Sequence, residues 1–83
     1  MNAQELVENL QEFCRENADS EVLEKNRKLF KDDYDAYGIS QTDMDFKKRE
    51  LLHNPEFTMD LLLKAAPELI KSEKYEETSF VLI

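Results

Sequence analysis

The sequence predicts an all-α fold of about five helices, packed as antiparallel hairpins in a segment of a HEAT-like or armadillo-like α-α superhelix. Three observations predict this class. The 83 residues include a single Gly and only two Pro, too few for the many tight turns of an all-β fold. Apolar residues recur at helical spacing in five stretches separated by short polar breaks. No heptad repeat is sustained, which argues against a coiled coil.

The first helix is predicted from Ala3 to about Glu16. Asn2 and Glu5 form a capping-box pattern at its start, because each side chain can accept a hydrogen bond from the other residue's backbone N–H. One face of this segment is apolar and carries Leu6, Val7, Leu10, Phe13 and Cys14. Cys14 is therefore predicted to be a small core residue, and as the single cysteine it excludes an intramolecular disulfide bond.

The second helix is predicted to begin at Asp19 or Ser20 and to run to about Lys31. The residues at helical intervals along it are Val22, Leu23, Asn26, Leu29 and Phe30. Gly38 is expected to end a helix in the left-handed conformation, which glycine adopts at low cost. The acidic stretch 32–35 lacks the glycine and the glutamate that complete a calcium-binding loop, so an EF-hand is excluded.

The third helix is predicted to begin at Ser40 or Thr42 and to continue to about Leu52. The Asn54–Pro55 step then interrupts the pattern, because the residue before a proline disfavours helical backbone angles. His53 has no second histidine, and no nearby cysteine, with which to share a metal ion. It is therefore predicted to be a solvated turn residue.

The fourth helix is predicted over residues 57–71. Pro67 lies inside it, so the helix is expected either to bend there or to restart with Pro67 in its first turn. The candidate core residues of this segment are Phe57, Leu61, Leu62, Ala65, Leu69 and Ile70. A fifth helix is predicted from about Glu73. Its residues Tyr75, Thr78, Ser79 and Leu82 are expected to form one stripe.

The sequence ends on four apolar residues, Phe80–Ile83. An exposed apolar stripe is unfavourable unless something covers it, which leaves three alternatives. The stripe packs back on this domain, it self-associates with another copy, or the natural chain continues. We favour continuation, so residues 1–83 are predicted to form a single helical domain that is the N-terminal fragment of a longer protein.

Charge and composition exclude several classes of function. A net charge of −8 disfavours non-specific binding to a phosphate backbone over the whole surface. The N-terminus lacks the basic and apolar regions of a signal peptide, and no apolar run is long enough to span a membrane. A cytoplasmic protein without membrane contact is expected. No metal site or cofactor is predicted, and the acidic pairs Asp32-Asp33 and Glu76-Glu77 have no obvious partner that would shift a pKa.

Several stretches also carry a family resemblance. They are Tyr34–Ser40, with two aromatic residues before Gly and Ile, the basic helical run Lys47–Leu52, and Glu68–Ile70 followed by Tyr75–Glu77. In their order, the chain resembles the N-terminal third of the AlkD-type DNA alkylation repair proteins, which consist of HEAT-like repeats. The resemblance covers most of the chain.

The resemblance implies a glycosylase that removes alkylated purine bases from DNA held on a concave basic surface. The catalytic and lesion-contacting residues of that family lie in later repeats, and nothing in this chain matches them. The resemblance therefore implies a scaffold for DNA binding that is not catalytic by itself, with DNA as a partner of the longer protein. Lys47, Lys48 and Arg49 are the candidate DNA-backbone contacts, and ordinary solvated helix residues are the alternative. The alternative function is a helical protein–protein interaction module with no nucleic-acid role.

Overall fold

A computed structural model describes residues 1–29 and 35–82. This part of the chain forms five helices: α1 (Ala3–Asn17), α2 (Ser20–Arg27), α3 (Gln41–His53), α4 (Met59–Lys71) and α5 (Tyr75–Val81). The same residues contain no β-strand. The predicted all-α class is confirmed, and the helical hairpins are consistent with the predicted arrangement. The HEAT-like repeat type stays a prediction.

The start of α1 agrees with the prediction in detail. The Asn2 side chain accepts a hydrogen bond from the Glu5 backbone N–H at 2.8 Å, and the Glu5 side chain accepts one from the Asn2 backbone N–H at 3.2 Å. This capping box satisfies two donors that a helix N-terminus would otherwise leave unpaired. Cys14 is fully buried, as predicted for a small core residue.

The helix α2 is shorter than predicted and buries none of its residues. Asp19 caps it by accepting a hydrogen bond from the Glu21 backbone N–H at 2.8 Å. The helix ends at Arg27, and Leu29 lies beyond it with 76% of its surface exposed. An eight-residue helix with only two half-buried apolar side chains gains little from tertiary packing, which supplies most helix stability in proteins. Phe30 and Lys31, on which the longer prediction rested, lie outside the described residues.

The helices α3 and α4 begin at hydroxyl caps. Ser40 accepts a hydrogen bond from the Asp43 N–H at 3.2 Å, and Thr58 accepts one from the Leu61 N–H at 3.1 Å. One continuous helix, α4, contains Pro67, so the predicted restart does not occur. Proline removes the hydrogen bond to the carbonyl four residues earlier. That carbonyl belongs to the exposed residue Leu63, where solvent can serve as a partner.

The helix α4 lies at the centre of the packing, against both α1 and α5, and α1 also contacts α5. Side chains from these helices, from α3 and from Ile39 form one hydrophobic cluster. Phe13 and Phe80 meet in it edge to face, with ring centroids 6.2 Å apart. Of the predicted α4 core, Leu61, Leu62, Ala65 and Leu69 are buried and Phe57 packs against the cluster. Ile70 is the exception, with 51% of its surface exposed.

The predicted stripe on α5 is not the buried face of this helix. The buried face consists of Glu76, Glu77 and Phe80, whereas Tyr75 and Leu82 are exposed. The predicted stripe leaves out these two glutamates, which have hydrogen-bond partners in the interior. Phe80 is fully buried, so this member of the apolar C-terminal stripe packs back on the domain. Ile83 lies outside the described residues.

Candidate functional site

The segment 35–39, which we call the strap, crosses the N-terminal end of α5 in an irregular conformation. The Tyr75 backbone N–H donates to the Asp35 carbonyl at 2.8 Å. The Lys74 ammonium group pairs with the Asp35 carboxylate at 2.7 Å and lies over the Tyr37 ring, 5.3 Å from its centroid. These contacts join residues about 40 positions apart in the sequence, so the strap ties the middle of the chain to its last helix.

Gly38 allows the strap to approach α2 closely. Its φ is +86°, the left-handed conformation that was predicted for it, but residues 35–40 are not helical and Gly38 does not end a helix within them. A Cβ atom at this position would lie 2.5 Å from the Asp19 carbonyl oxygen and 2.8 Å from the Leu23 side chain. The Gly38 carbonyl also accepts a hydrogen bond from the Asp19 N–H at 2.8 Å. Glycine is therefore required here by both backbone angle and space.

The Glu76 carboxylate binds the backbone of the strap. It accepts hydrogen bonds from the backbone N–H groups of Tyr37 at 2.9 Å, Gly38 at 3.1 Å and Ile39 at 3.2 Å. Only 1% of the Glu76 surface is exposed. A buried carboxylate is tolerated when donors surround it, and three peptide groups supply that compensation here. In return, Glu76 satisfies backbone donors of a segment that forms no regular helix or strand.

The adjacent Glu77 is equally buried and uses both of its oxygens. One accepts a hydrogen bond from the Gln11 side chain at 3.0 Å, and the other accepts one from the Tyr37 hydroxyl at 2.6 Å. The sequence showed no obvious partner for this acidic pair, and the structure places its hydrogen-bond partners on α1 and on the strap. A signal was present in the sequence, since residues 76, 77 and 80 share one helical face with the apolar Phe80. The pair Asp32-Asp33 lies outside the described residues.

Two acidic groups next to this pair are held in their protonated forms. Burial, followed by the carboxylates of Glu76 and Glu77, raises the pKa of the Cys14 thiol to about 12. Burial and the hydrogen bond to Glu77 raise the pKa of the Tyr37 phenol well above its usual value. A thiol that stays protonated is a poor nucleophile. Every buried side-chain N or O atom in the described residues has a hydrogen-bond partner, so the buried polar groups of this network are all compensated.

The three predicted DNA contacts occupy different environments on α3. Lys47 is only 7% exposed; its ammonium group pairs with Glu50 at 2.9 Å and lies 5.5 Å from the centre of the Phe13 ring. Lys48 donates to the Ser79 hydroxyl at 2.7 Å. Arg49 is exposed. The structure thus disperses the three side chains around the helix, and their contact with DNA stays a prediction.

A cleft of about 400 Å³ opens between α2, the start of α3 and α5. Its floor includes the buried apolar residues Ile39 and Met44, and Val22 contributes a third apolar side chain. The remaining lining residues are polar or aromatic. The complete described lining is Val22, Lys25, Asn26, Ile39, Ser40, Gln41, Met44, Tyr75 and Ser79.

The helix α4 carries a second apolar surface that this domain does not cover. Met59, Leu63 and Ile70 are 65%, 64% and 51% exposed, and their spacing places them along one side of the helix. We call them the outer face of α4. The core side of the same helix carries Leu61, Leu62, Ala65 and Leu69. The charged residues occupy the remaining arc and are Asp60, Lys64, Glu68 and Lys71.

Comparison of the chain with protein-family models, with curated proteins and with solved structures finds no match. In the part of the chain that the structure describes, no three or more His, Cys, Asp or Glu side chains are grouped so as to hold a metal ion. None of the helices described is long and apolar enough to cross a bilayer.

Proposed function

We propose that this chain is a helical scaffold segment, with no catalytic machinery of its own, that docks the outer face of α4 against a neighbouring helix. The proposal rests on the large share of the circumference of α4 that is apolar. At about 100° per residue, apolar side chains cover roughly two thirds of the circumference of α4, and α1 and α5 cover only the core side. A helix that is apolar around most of its circumference is typical of one buried between several partners.

The energetic scale supports docking over simple exposure. Full burial of a large aliphatic side chain contributes about 1.5–3 kcal/mol. Met59, Leu63 and Ile70 are each half to two thirds exposed, so covering all three would add on the order of 3–5 kcal/mol. The shape of the surface favours a helix as the occupant, because the residues form a straight row about 16 Å long.

The resemblance to DNA alkylation repair proteins gives this proposal a specific form. HEAT-like units bury their apolar faces against the units beside them. In that form, the helix that covers Met59, Leu63 and Ile70 belongs to the next repeat of a longer protein, and this segment supports the surface on which the longer protein binds DNA. Glycosylase chemistry then resides in the later repeats.

Site-specific photocrosslinking in the natural protein tests the proposal. A benzophenone amino acid replaces Leu63 on the outer face, and in a matched variant it replaces Lys64 on the charged arc next to it. We expect a crosslink from position 63 to a residue in a helix, identified by mass spectrometry of the joined peptides, and much less product from position 64.

The crosslinked peptide also distinguishes the two forms of the proposal. A peptide from the same polypeptide indicates a scaffold repeat, and a peptide from another polypeptide indicates a protein–protein interaction module. Equal yields from positions 63 and 64, or no product from 63, would overturn the docking proposal.

A further inference from the structure

The cleft between α2, α3 and α5 has the composition of a site for a small amphipathic anion, and it is separate from the outer face of α4. Its volume of about 400 Å³ lies in the range of pockets that hold small organic ligands. Such sites combine an apolar floor with a few placed polar groups. Here Ile39 and Met44 are each at most 4% exposed at the floor, and the polar residues lie around it.

Among the described lining residues, the charge of the cleft is opposite in sign to the net charge of the protein. The chain has 19 acidic and 11 basic residues, yet Lys25 is the single charged residue among the described lining residues. Lys25 forms no ion pair with any residue in 1–29 or 35–82, whereas Arg27, Lys47, Lys64 and Lys74 are all paired. Its cationic group is therefore available to a ligand.

A second cation lies close to the same cleft. The Lys48 ammonium group is 2.7 Å from the Ser79 hydroxyl, and Ser79 lines the cleft. The long-range repulsion of anions by the net charge of −8 is screened beyond about 8 Å at physiological ionic strength. At contact distance, the local charges decide. The ammonium groups of Lys25 and Lys48 lie at the cleft, and the carboxylates of Asp45 and Glu76 accept hydrogen bonds from the lining residues Gln41 and Ile39. Lys25 is the charged group in the described lining itself.

We propose that this cleft binds a small organic monoanion whose aliphatic or aromatic body lies on Ile39 and Met44 and whose carboxylate faces Lys25. The apolar body contacts Val22 and the small accessible part of this floor, and the carboxylate pairs with Lys25 at the rim. Because the cleft lies between α2, α3 and α5, ligand binding there does not depend on whether another helix covers α4.

Three probes with one body and different head groups test the site: 4-phenylbutyrate, 4-phenylbutanol and 4-phenylbutylamine. Each is titrated into the full chain and followed by amide chemical shifts. We expect the acid to bind about three- to tenfold more tightly than the alcohol, and the amine to bind least. The shifted signals should come from Ile39, Met44 and Ser79.

Two substitutions of neighbouring lysines distinguish a direct contact in the cleft from the effect of net charge on binding. Lys25→Gln should remove the preference for the acid over the alcohol while leaving alcohol binding unchanged. Lys28→Gln removes an equal charge from an exposed lysine outside the lining and should leave the preference intact. The proposal is overturned if no probe binds, if the two variants behave alike, or if the shifts map to Met59, Leu63 and Ile70.

Discussion

Glu76 is one of the residues on which the strap depends. Glu76 accepts three backbone N–H groups at a position where 1% of its surface is exposed, so no solvent can replace it. Glu76→Gln keeps the shape but turns an amide N–H₂ toward donors, leaving at least one peptide N–H unpaired. We expect the free energy of unfolding to fall by about 2–3 kcal/mol, measured by urea denaturation. Glu68→Gln, an exposed control on α4, should change it by less than about 0.5 kcal/mol.

Gly38 is a second residue on which the strap depends. Gly38→Ala would combine an unfavourable positive φ with a Cβ atom 2.5 Å from the Asp19 carbonyl oxygen. We expect a loss of about 2–4 kcal/mol in the free energy of unfolding, because the neighbouring atom belongs to the backbone and cannot turn aside. Thermal unfolding followed by circular dichroism measures it. Asn9→Ala on the exposed side of α1 should be neutral or slightly stabilising, and similar effects of both substitutions would contradict the close approach.

The raised pKa values of Cys14 and Tyr37 predict a loss of stability at alkaline pH. In the unfolded chain these groups ionise near 9.0 and 10.0, whereas the folded chain keeps both protonated at higher pH. The unfolded state therefore releases protons first as pH rises. The stabilisation is complete below about pH 9 and is lost above it, by at most about 1.4 kcal/mol per pH unit for each group.

Urea denaturation at several pH values between 8 and 11 measures this slope. Tyr37→Phe should reduce the slope above pH 10, since the phenol no longer titrates in either state. If Tyr37→Phe leaves the slope above pH 10 unchanged, the Tyr37 phenol is not the group whose ionisation destabilises the folded chain.

Among the helices, α4 contains a residue, Pro67, that is unfavourable in a helix interior. Pro67 lies inside a continuous helix and leaves the Leu63 carbonyl without its usual donor. Pro67→Ala should restore that hydrogen bond and raise the free energy of unfolding by about 1–2 kcal/mol, because part of the gain is offset by a more flexible unfolded chain. Calorimetric melting measures the change. Glu68→Ala, which changes the next exposed residue without supplying a donor, should leave the melting temperature nearly unchanged.

The elements also differ in how far their sequence determines them. The starts of α1, α2 and α3 could be predicted, because a cap residue and the N–H that it accepts lie within three positions of each other. The predicted start of α4 at residue 57 lies two residues before the observed start at Met59. The end of α2 could not be predicted, since it depends on whether distant residues cover its apolar side chains. The orientation of α5 was mispredicted for the same reason. Glu76 and Glu77 are buried, although they are polar, because Gln11 and the strap supply their hydrogen-bond partners.

For the whole molecule, the distribution of cations bears on the proposed DNA role. Lys47 is engaged with Glu50 and Phe13, and Arg49 is the exposed member of the predicted trio. In the longer protein of the scaffold proposal, Arg49→Gln should reduce the slope of log affinity for duplex DNA against log salt by about 1, without changing folding stability. Lys47→Gln should lower folding stability instead. Fluorescence anisotropy at several salt concentrations measures the slope, and no change with Arg49→Gln would contradict the contact.

The sequence by itself determined the helical class, the capped starts of α1, α2 and α3, the burial of Cys14 and most of the α4 core. These depend on residue spacings within one or two helical turns, and such spacings are local. The tertiary structure decided which way α5 faces, why Gly38 is required, and which of Lys47, Lys48 and Arg49 stays exposed. Each of these rests on contacts between residues about 20 to 66 positions apart or on competition for one small core, and no local pattern encodes either.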